Sequence, residues 1–207
     1  MTRLEQPVLE FFFDYGSPFS YLADTQLPGI AKRSGAAVLY RPMLLGAVLK
    51  ATGNASPMTV PAKGRYMMRD LERWAKRYGV SFQSSPFSFV SNTLRVMRGA
   101  VASQRLGFFD RYHGAVFAAT WGEPLDLGEE QTLRRLLEQS GVDSERLLSA
   151  IEDQETKDEL RRNTDTAIER GVFGAPTFFV GDEMFWGNDR LDFIESALTR
   201  SGGLIDG

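Results

Sequence analysis

Ser17-Pro18-Phe19-Ser20 follows an apolar run, Val8–Phe13, and opens a stretch of helical periodicity in a chain of 207 residues without a single cysteine. Two nucleophilic side chains at this spacing and at a helix start form the pattern of a dithiol redox pair, but here both are serine. Thiol–disulfide exchange requires an attacking thiolate, so this chain performs none with its own side chains. What remains is a hydroxyl at a helix N-terminus, where unpaired N–H groups and the helix dipole favour an anion. Taken alone, Ser17 followed by proline also reads as an N-cap. The functional reading needs a ligand that brings the anion, such as the thiol of another molecule. A thiol of pKa about 8.5 is only slightly ionised near neutrality, and lowering that pKa by about two units costs about 2.7 kcal/mol. A charge-assisted hydrogen bond of about 1.5–3 kcal/mol with a helix-end contribution of up to about 2 kcal/mol covers that amount.

Composition narrows the alternatives. Hydrophobic residues make up 43% and aromatic residues 12% of the chain, enough for a sizeable core. A formal net charge of −3 removes the electrostatic attraction from which nucleic-acid binding starts. Without cysteine there is no disulfide framework and no thiolate metal site, and the one histidine, His113, leaves no basis for a histidine-rich metal centre. No metal is therefore expected. The apolar run 8–13 is interrupted by Glu10 and is too short for a signal-peptide core or a membrane span, and Leu204-Ile205-Asp206-Gly207 matches no anchor or sorting signal. A cytoplasmic protein that binds neither membrane nor nucleic acid is the expectation.

The elements that must position Ser17 follow from periodicity. Val8–Phe13 reads as a mostly buried strand ending in the turn Asp14-Tyr15-Gly16. Apolar residues at spacings of three and four predict a helix from Pro18 to about Gly35, kinked at Pro28, and then a strand over 36–41. This βαβ opening implies parallel strands and a right-handed crossover. Helical segments are predicted over 62–78, 92–106, 108–121, 129–140 and 144–153, with a polar helix over 155–170. Two short aromatic runs, 176–180 and 184–186, flank Gly181-Asp182 as an antiparallel hairpin, and a helix over 189–200 closes the chain. The order is that of an α/β protein, a thioredoxin-like fold (1–42 and 155–207) with an inserted all-helical domain (43–154).

Two further segments bear on chemistry. Gly171-Val172-Phe173-Gly174-Ala175-Pro176-Thr177 reads locally as a helix C-cap followed by a strand opened by proline. Trp186-Gly187-Asn188-Asp189-Arg190-Leu191 reads as the cap of the last helix. Arg65, Arg69, Arg73 and Lys76 share one helical face, read as solvated, and Met67, Met68, Leu71 and Trp74 are read as packing. His113 is read as structural or surface.

These segments in this order resemble the 2-hydroxychromene-2-carboxylate isomerases, a family close to the kappa-class glutathione transferases and to the thioredoxin-fold disulfide oxidoreductases. The resemblance is carried by residues 11–23, the Gly53-Asn54 pair, Asp70-Leu71-Glu72-Arg73-Trp74-Ala75, Val172 to Thr177 and Gly181 to Leu191. It implies glutathione as cofactor, a small aromatic carboxylate as substrate and a homodimer. Ser17 matches the serine that stabilises the glutathione thiolate and is the implied catalytic residue. Ala175 precedes Pro176, which is cis in this fold, and its backbone would pair with the cysteinyl part of glutathione. Asn188 and Asp189 would hold the γ-glutamyl end, and Asn54 and Lys63 match positions that help bind glutathione in the kappa class. Lys50 and Trp186 are candidates for the substrate. The implied reaction is glutathione-dependent isomerisation of 2-hydroxychromene-2-carboxylate to trans-o-hydroxybenzylidenepyruvate, as in naphthalene-like catabolism. A kappa-like glutathione transferase and a redox-inactive binding module of the same fold are the alternatives.

Overall fold

The structure is a computed structural model that describes residues 6–86, 88 and 93–203. Its four-stranded sheet has the order β2-β1-β3-β4, from β1 (Val8–Phe13), β2 (Ala37–Pro42), β3 (Thr177–Val180) and β4 (Glu183–Trp186). β1 runs parallel to β2, with Phe11 opposite Tyr40, and antiparallel to β3, with Phe11 opposite Phe178. β3 and β4 form the antiparallel hairpin around Gly181-Asp182. β1 is buried on both faces, which is why it reads as an almost continuous apolar run rather than an alternation. Leu9, Phe11 and Phe13 enter the larger core, whereas Phe12 joins Met43, Val48, Ala167, Val172 and Phe179 on the opposite face. The Phe11 ring lies against Phe178 at 4.9 Å and Phe13 at 5.2 Å.

Two helices replace the single one expected after Ser17: α1 (Pro18–Asp24) and α2 (Leu27–Ser34). Proline 28 lacks an N–H and its ring excludes a helical carbonyl at residue 24, so the break falls before the proline instead of bending at it. α3 (Leu45–Thr52) has no counterpart in the segments predicted above. A 3₁₀ turn, Pro57–Thr59, leads into α4 (Pro61–Tyr78), followed by α5 (Leu94–Leu106) and α6 (Phe109–Phe117), which continues as a π-helical turn, Ala118–Gly122. The expected start of α5 at Asn92 lies outside the described residues, as do 204–207. α7 (Glu130–Gln139), α8 (Ser144–Ile151) and α9 (Gln154–Glu169) precede β3. After β4, a 3₁₀ turn over Asn188–Arg190 enters α10 (Leu191–Gly203). The larger core is continuous from the sheet through Leu71, Val101, Val116 and Trp121 to Leu133 and Leu147. Among the described residues no helix is long and apolar enough to cross a membrane.

His113 is a core residue, 5% exposed, between Tyr15 and Asp24. Its Nε2 lies 3.0 Å from Asp24 Oδ1 and its Nδ1 lies 3.0 Å from the Tyr15 hydroxyl. A carboxylate only accepts, so Nε2 carries the proton donated to Asp24, and in the neutral ring Nδ1 accepts from Tyr15. On the other face, Glu10 accepts from Arg41 at 3.0 Å and from Arg170 at 2.7 Å. Burial alone would raise the Glu10 pKa, but the two guanidiniums outweigh it and hold the carboxyl below the ordinary value. A depressed folded-state pKa means stability that is present above the unfolded value and lost as pH falls through the folded one. Glu10→Gln should therefore cost about 1 kcal/mol at neutral pH. The gap from the parent should close below about pH 4, read by urea unfolding at both pH values.

Candidate active site

Ser17 is the N-cap of α1, with φ −97° and ψ 110°. Its Oγ accepts the Ser20 N–H at 3.1 Å and donates to the Ala175 carbonyl at 3.0 Å, across 158 residues of sequence. The cap is thus both the local one expected and a link to the loop before β3. The Ala175-Pro176 peptide is cis. On its C-terminal side the Pro176 carbonyl accepts the Gly187 N–H at 3.0 Å, joining this loop to the end of β4.

Ser17 and Ala175 lie in the wall of a cleft of about 570 Å³, which is also lined by Asn54, Lys63 and Trp186. Its other walls are largely apolar, from Phe19, Leu45, Leu49, Met58, Val60 and Met67. Among the described residues Lys63 is the charged side chain lining this cleft, and it makes no ion pair. Lys63 stands in the first turn of α4, where a cation opposes the helix dipole. Helix stability gives no reason for a lysine there. Met67 is both packing, as expected, and cleft wall.

Packing and the Asn54 amide also hold the loop over the cleft. Asn54 Nδ2 donates to the Phe173 carbonyl at 2.9 Å, so this side chain ties the segment after α3 to the loop that carries Ala175. Asn54 itself follows Gly53, whose φ of +67° ends α3 in the left-handed region. Trp186 stacks at an angle on Phe173, with ring centroids 4.9 Å apart, and lies directly over Gly174. A Cβ at Gly174 would come within 2.6 Å of Trp186 Nε1, so glycine is what lets the indole close on the loop. Trp186 remains 48% exposed, an aromatic surface open to a ligand.

Two expected groups are elsewhere. Lys50 is exposed on α3 and is not among the described residues that line the cleft. Asn188 and Asp189 line a separate polar hollow of about 100 Å³, together with Arg33, Arg77 and Tyr78. Asn188 is 3% exposed, its carbonyl accepts from the Tyr78 hydroxyl at 2.9 Å, and its Nδ2 has no partner among the described residues. Asp189 pairs with Arg190 at 2.5 Å. Arg65, Arg69, Arg73 and Lys76 are exposed, as read from the sequence.

Sequence reasoning passed over Asp14. It is 2% exposed, and it holds the Gly16, Leu45 and Thr93 donors that frame the Ser17 loop. An Asp in a turn after a strand is too common to have flagged it.

Known proteins are similar to this chain over most of its length. Residues 8–199 match the family model described as a DSBA-like thioredoxin domain. The chain is 38% identical over 192 residues to 2-hydroxychromene-2-carboxylate isomerase of Sphingobium xenophagum, covering 92% of this chain and 97% of that protein. It is 27% identical over 201 residues to glutathione S-transferase kappa 1 of Rattus norvegicus, covering 90% and 88% of the two. A solved 2-hydroxychromene-2-carboxylate isomerase superposes with a TM-score of 0.83 at 35% identity, over 93% of this chain and 95% of that one.

Proposed function

The chain belongs to the 2-hydroxychromene-2-carboxylate isomerase family of DSBA-like thioredoxin domains, and from that premise we propose that it is a glutathione-dependent isomerase. The proposed reaction interconverts 2-hydroxychromene-2-carboxylate and trans-o-hydroxybenzylidenepyruvate. The observation that carries this reading is the Ser17 hydroxyl at the N-terminus of α1, set in the wall of a largely apolar cleft beside the Ala175 carbonyl. Glutathione, when bound, supplies a thiolate that adds reversibly to a conjugated double bond, so that rotation about a single bond replaces rotation about a double one.

The residues present fit that cofactor. Ser17 can turn its proton from Ala175 O to a sulfur anion, and the carbonyl it leaves is then free to accept an amide N–H from the ligand. The charge-assisted bond does most of the work of lowering a thiol pKa, because α1, at seven residues, adds a smaller helix-end contribution. Asn188 and Asp189 line the separate polar hollow and not the cleft, so they would hold a γ-glutamyl carboxylate and ammonium only in a ligand that reaches past the cleft into that hollow. Asn54 acts by holding the Phe173 carbonyl and with it the Ala175 loop. Lys63, in the cleft lining, would meet a carboxylate of bound glutathione, and Trp186 would give an aromatic substrate a flat wall. The higher identity to an isomerase than to a kappa-class transferase favours isomerisation over conjugation at this site. A homodimer working in the cytoplasm, in the breakdown of aromatic compounds such as naphthalene, completes the proposal.

Calorimetric titration with glutathione tests the site. Saturable binding is expected, weakened about fivefold by Lys63→Ala and unaltered by Lys50→Ala. Heats that show no saturable binding would overturn the reading.

A further inference from the structure

Asp14 follows β1 directly, three residues before Ser17, and nearly all of it is buried. Its Oδ1 accepts the Gly16 N–H at 2.9 Å. Its Oδ2 accepts the Leu45 N–H at 2.9 Å and the Thr93 hydroxyl at 3.1 Å. The Asp14 carbonyl accepts the Ser17 N–H, also at 2.9 Å. Leu45 is the first residue of α3 and Thr93 is the N-cap of α5, and neither helix has a side-chain cap of its own. One carboxylate thus takes the place of a local cap at α3 and anchors the start of α5. Gly16 is pressed into the same junction, where a Cβ would lie 2.9 Å from Thr93 Cγ2.

No cation pairs with Asp14 among the described residues. Burial, the largest influence, raises its pKa above the ordinary carboxylate value despite the three hydrogen bonds. A raised folded-state pKa means that the ionised group opposes folding above that pKa, and that the opposition fades as pH falls through it. Ionisation of Asp14 therefore carries a cost in stability at neutral pH. The carboxylate joins two parts of one wall: Ser17 on the loop side, and Leu45 and Leu49 of α3 on the other, all lining the cleft.

We propose that Asp14 is the positioning residue of this site, holding the Ser17 loop with one oxygen and the α3 wall with the other, so that a single side chain sets the spacing between hydroxyl and substrate. The inference rests on Ser17 being the thiolate-binding hydroxyl. Asn has nearly the shape of Asp but turns one oxygen into a donor. In Asp14→Asn either the Gly16 N–H or the Leu45 N–H must face an NH₂ group. Removal of the buried charge offsets part of the lost bond in stability, but nothing restores the spacing.

The test measures isomerisation of 2-hydroxychromene-2-carboxylate with glutathione, alongside backbone hydrogen exchange. Asp14→Asn should lose about a hundredfold in kcat. Its KM for glutathione should stay within about threefold of the parent, the pattern of a contact needed in the transition state and not in the ground state. Exchange should quicken at residues 16–20 or at 45–48, according to which N–H faces the NH₂ group, and be unchanged elsewhere. Thr93→Val, which spares both N–H bonds, should lower kcat by a smaller factor, about threefold. A kcat for Asp14→Asn close to that of the parent overturns the proposal, as does faster exchange spread over the whole chain. Should Asp14→Asn fail to fold, Thr93→Val decides, and an unchanged kcat there rejects the role. If the parent protein does not isomerise with glutathione, the functional reading fails by itself, and the exchange map still judges whether Asp14 holds the two walls together.

Discussion

Ser17→Ala is expected to lower kcat/KM by about a hundredfold, the kinetic equivalent of losing one charge-assisted hydrogen bond of about 2.7 kcal/mol. The hydroxyl also caps α1 through the Ser20 N–H, so the same variant should lose about 1 kcal/mol of stability and roughly 2–4 °C in Tm. The two effects separate cleanly, because a loss of turnover this large in a protein still folded at assay temperature cannot come from unfolding. Bound glutathione provides a second reading. Its thiolate absorbance in the parent should persist well below the pH at which free glutathione ionises, and in Ser17→Ala it should move back towards the free value. Turnover equal to the parent at saturating glutathione would remove Ser17 from the chemistry and leave it a helix cap.

The second large effect concerns the helical packing behind the site. A Cβ on Gly99 of α5 would lie 2.1 Å from the Tyr112 hydroxyl oxygen and 2.5 Å from its Cζ. Tyr112 is fully buried and its hydroxyl donates to the Val96 carbonyl at 2.8 Å, so it can neither swing into solvent nor shift without breaking that bond. Gly99→Ala should therefore cost about 3 kcal/mol from overpacking and the strained hydrogen bond together. For a chain of this size that is a fall of roughly 10 °C in Tm. Gly114, on α6 beside His113, supplies the contrast: it is exposed and nothing lies near the place of its missing Cβ. Gly114→Ala should be stabilising by about 0.5–1 kcal/mol through helix propensity. Thermal unfolding followed by circular dichroism reads both, and equal Tm values for the two variants would mean that α5 and α6 are not packed this closely.

How far the sequence anticipates this molecule depends on whether the cause of each feature is local. β1 is legible because both of its faces are buried, and Ser17 because an N-cap and a following proline announce a helix start within four residues. The β3–β4 hairpin is legible from its aromatic runs and its turn. α3 is not legible, since its first N–H is met by Asp14, 31 residues away, and the Leu44 N–H by Thr164, 120 residues away. A helix capped by tertiary contacts leaves no Ser, Asp or Asn in the usual position. His113 shows the same limit: its partners are 89 and 98 residues distant, and nothing around it in sequence marks it as the centre of a buried chain. Of the candidate site, Ser17, Asn54, Lys63, Ala175 and Trp186 meet in one cleft, while Lys50 stays outside it and Asn188 and Asp189 line their own hollow. Family motifs identify positions in a chain, but which wall each side chain lines depends on how α3 and α4 lie against the Ala175 loop.

The central claim is that this cleft uses a borrowed thiolate to isomerise an aromatic carboxylate. The most direct measurement follows the absorbance of 2-hydroxychromene-2-carboxylate mixed with the purified protein, with and without glutathione. The account predicts conversion to the ring-opened pyruvate only when glutathione is present, with glutathione recovered unconsumed. Conversion at the same rate without glutathione, or no conversion by folded protein with it, would contradict the account.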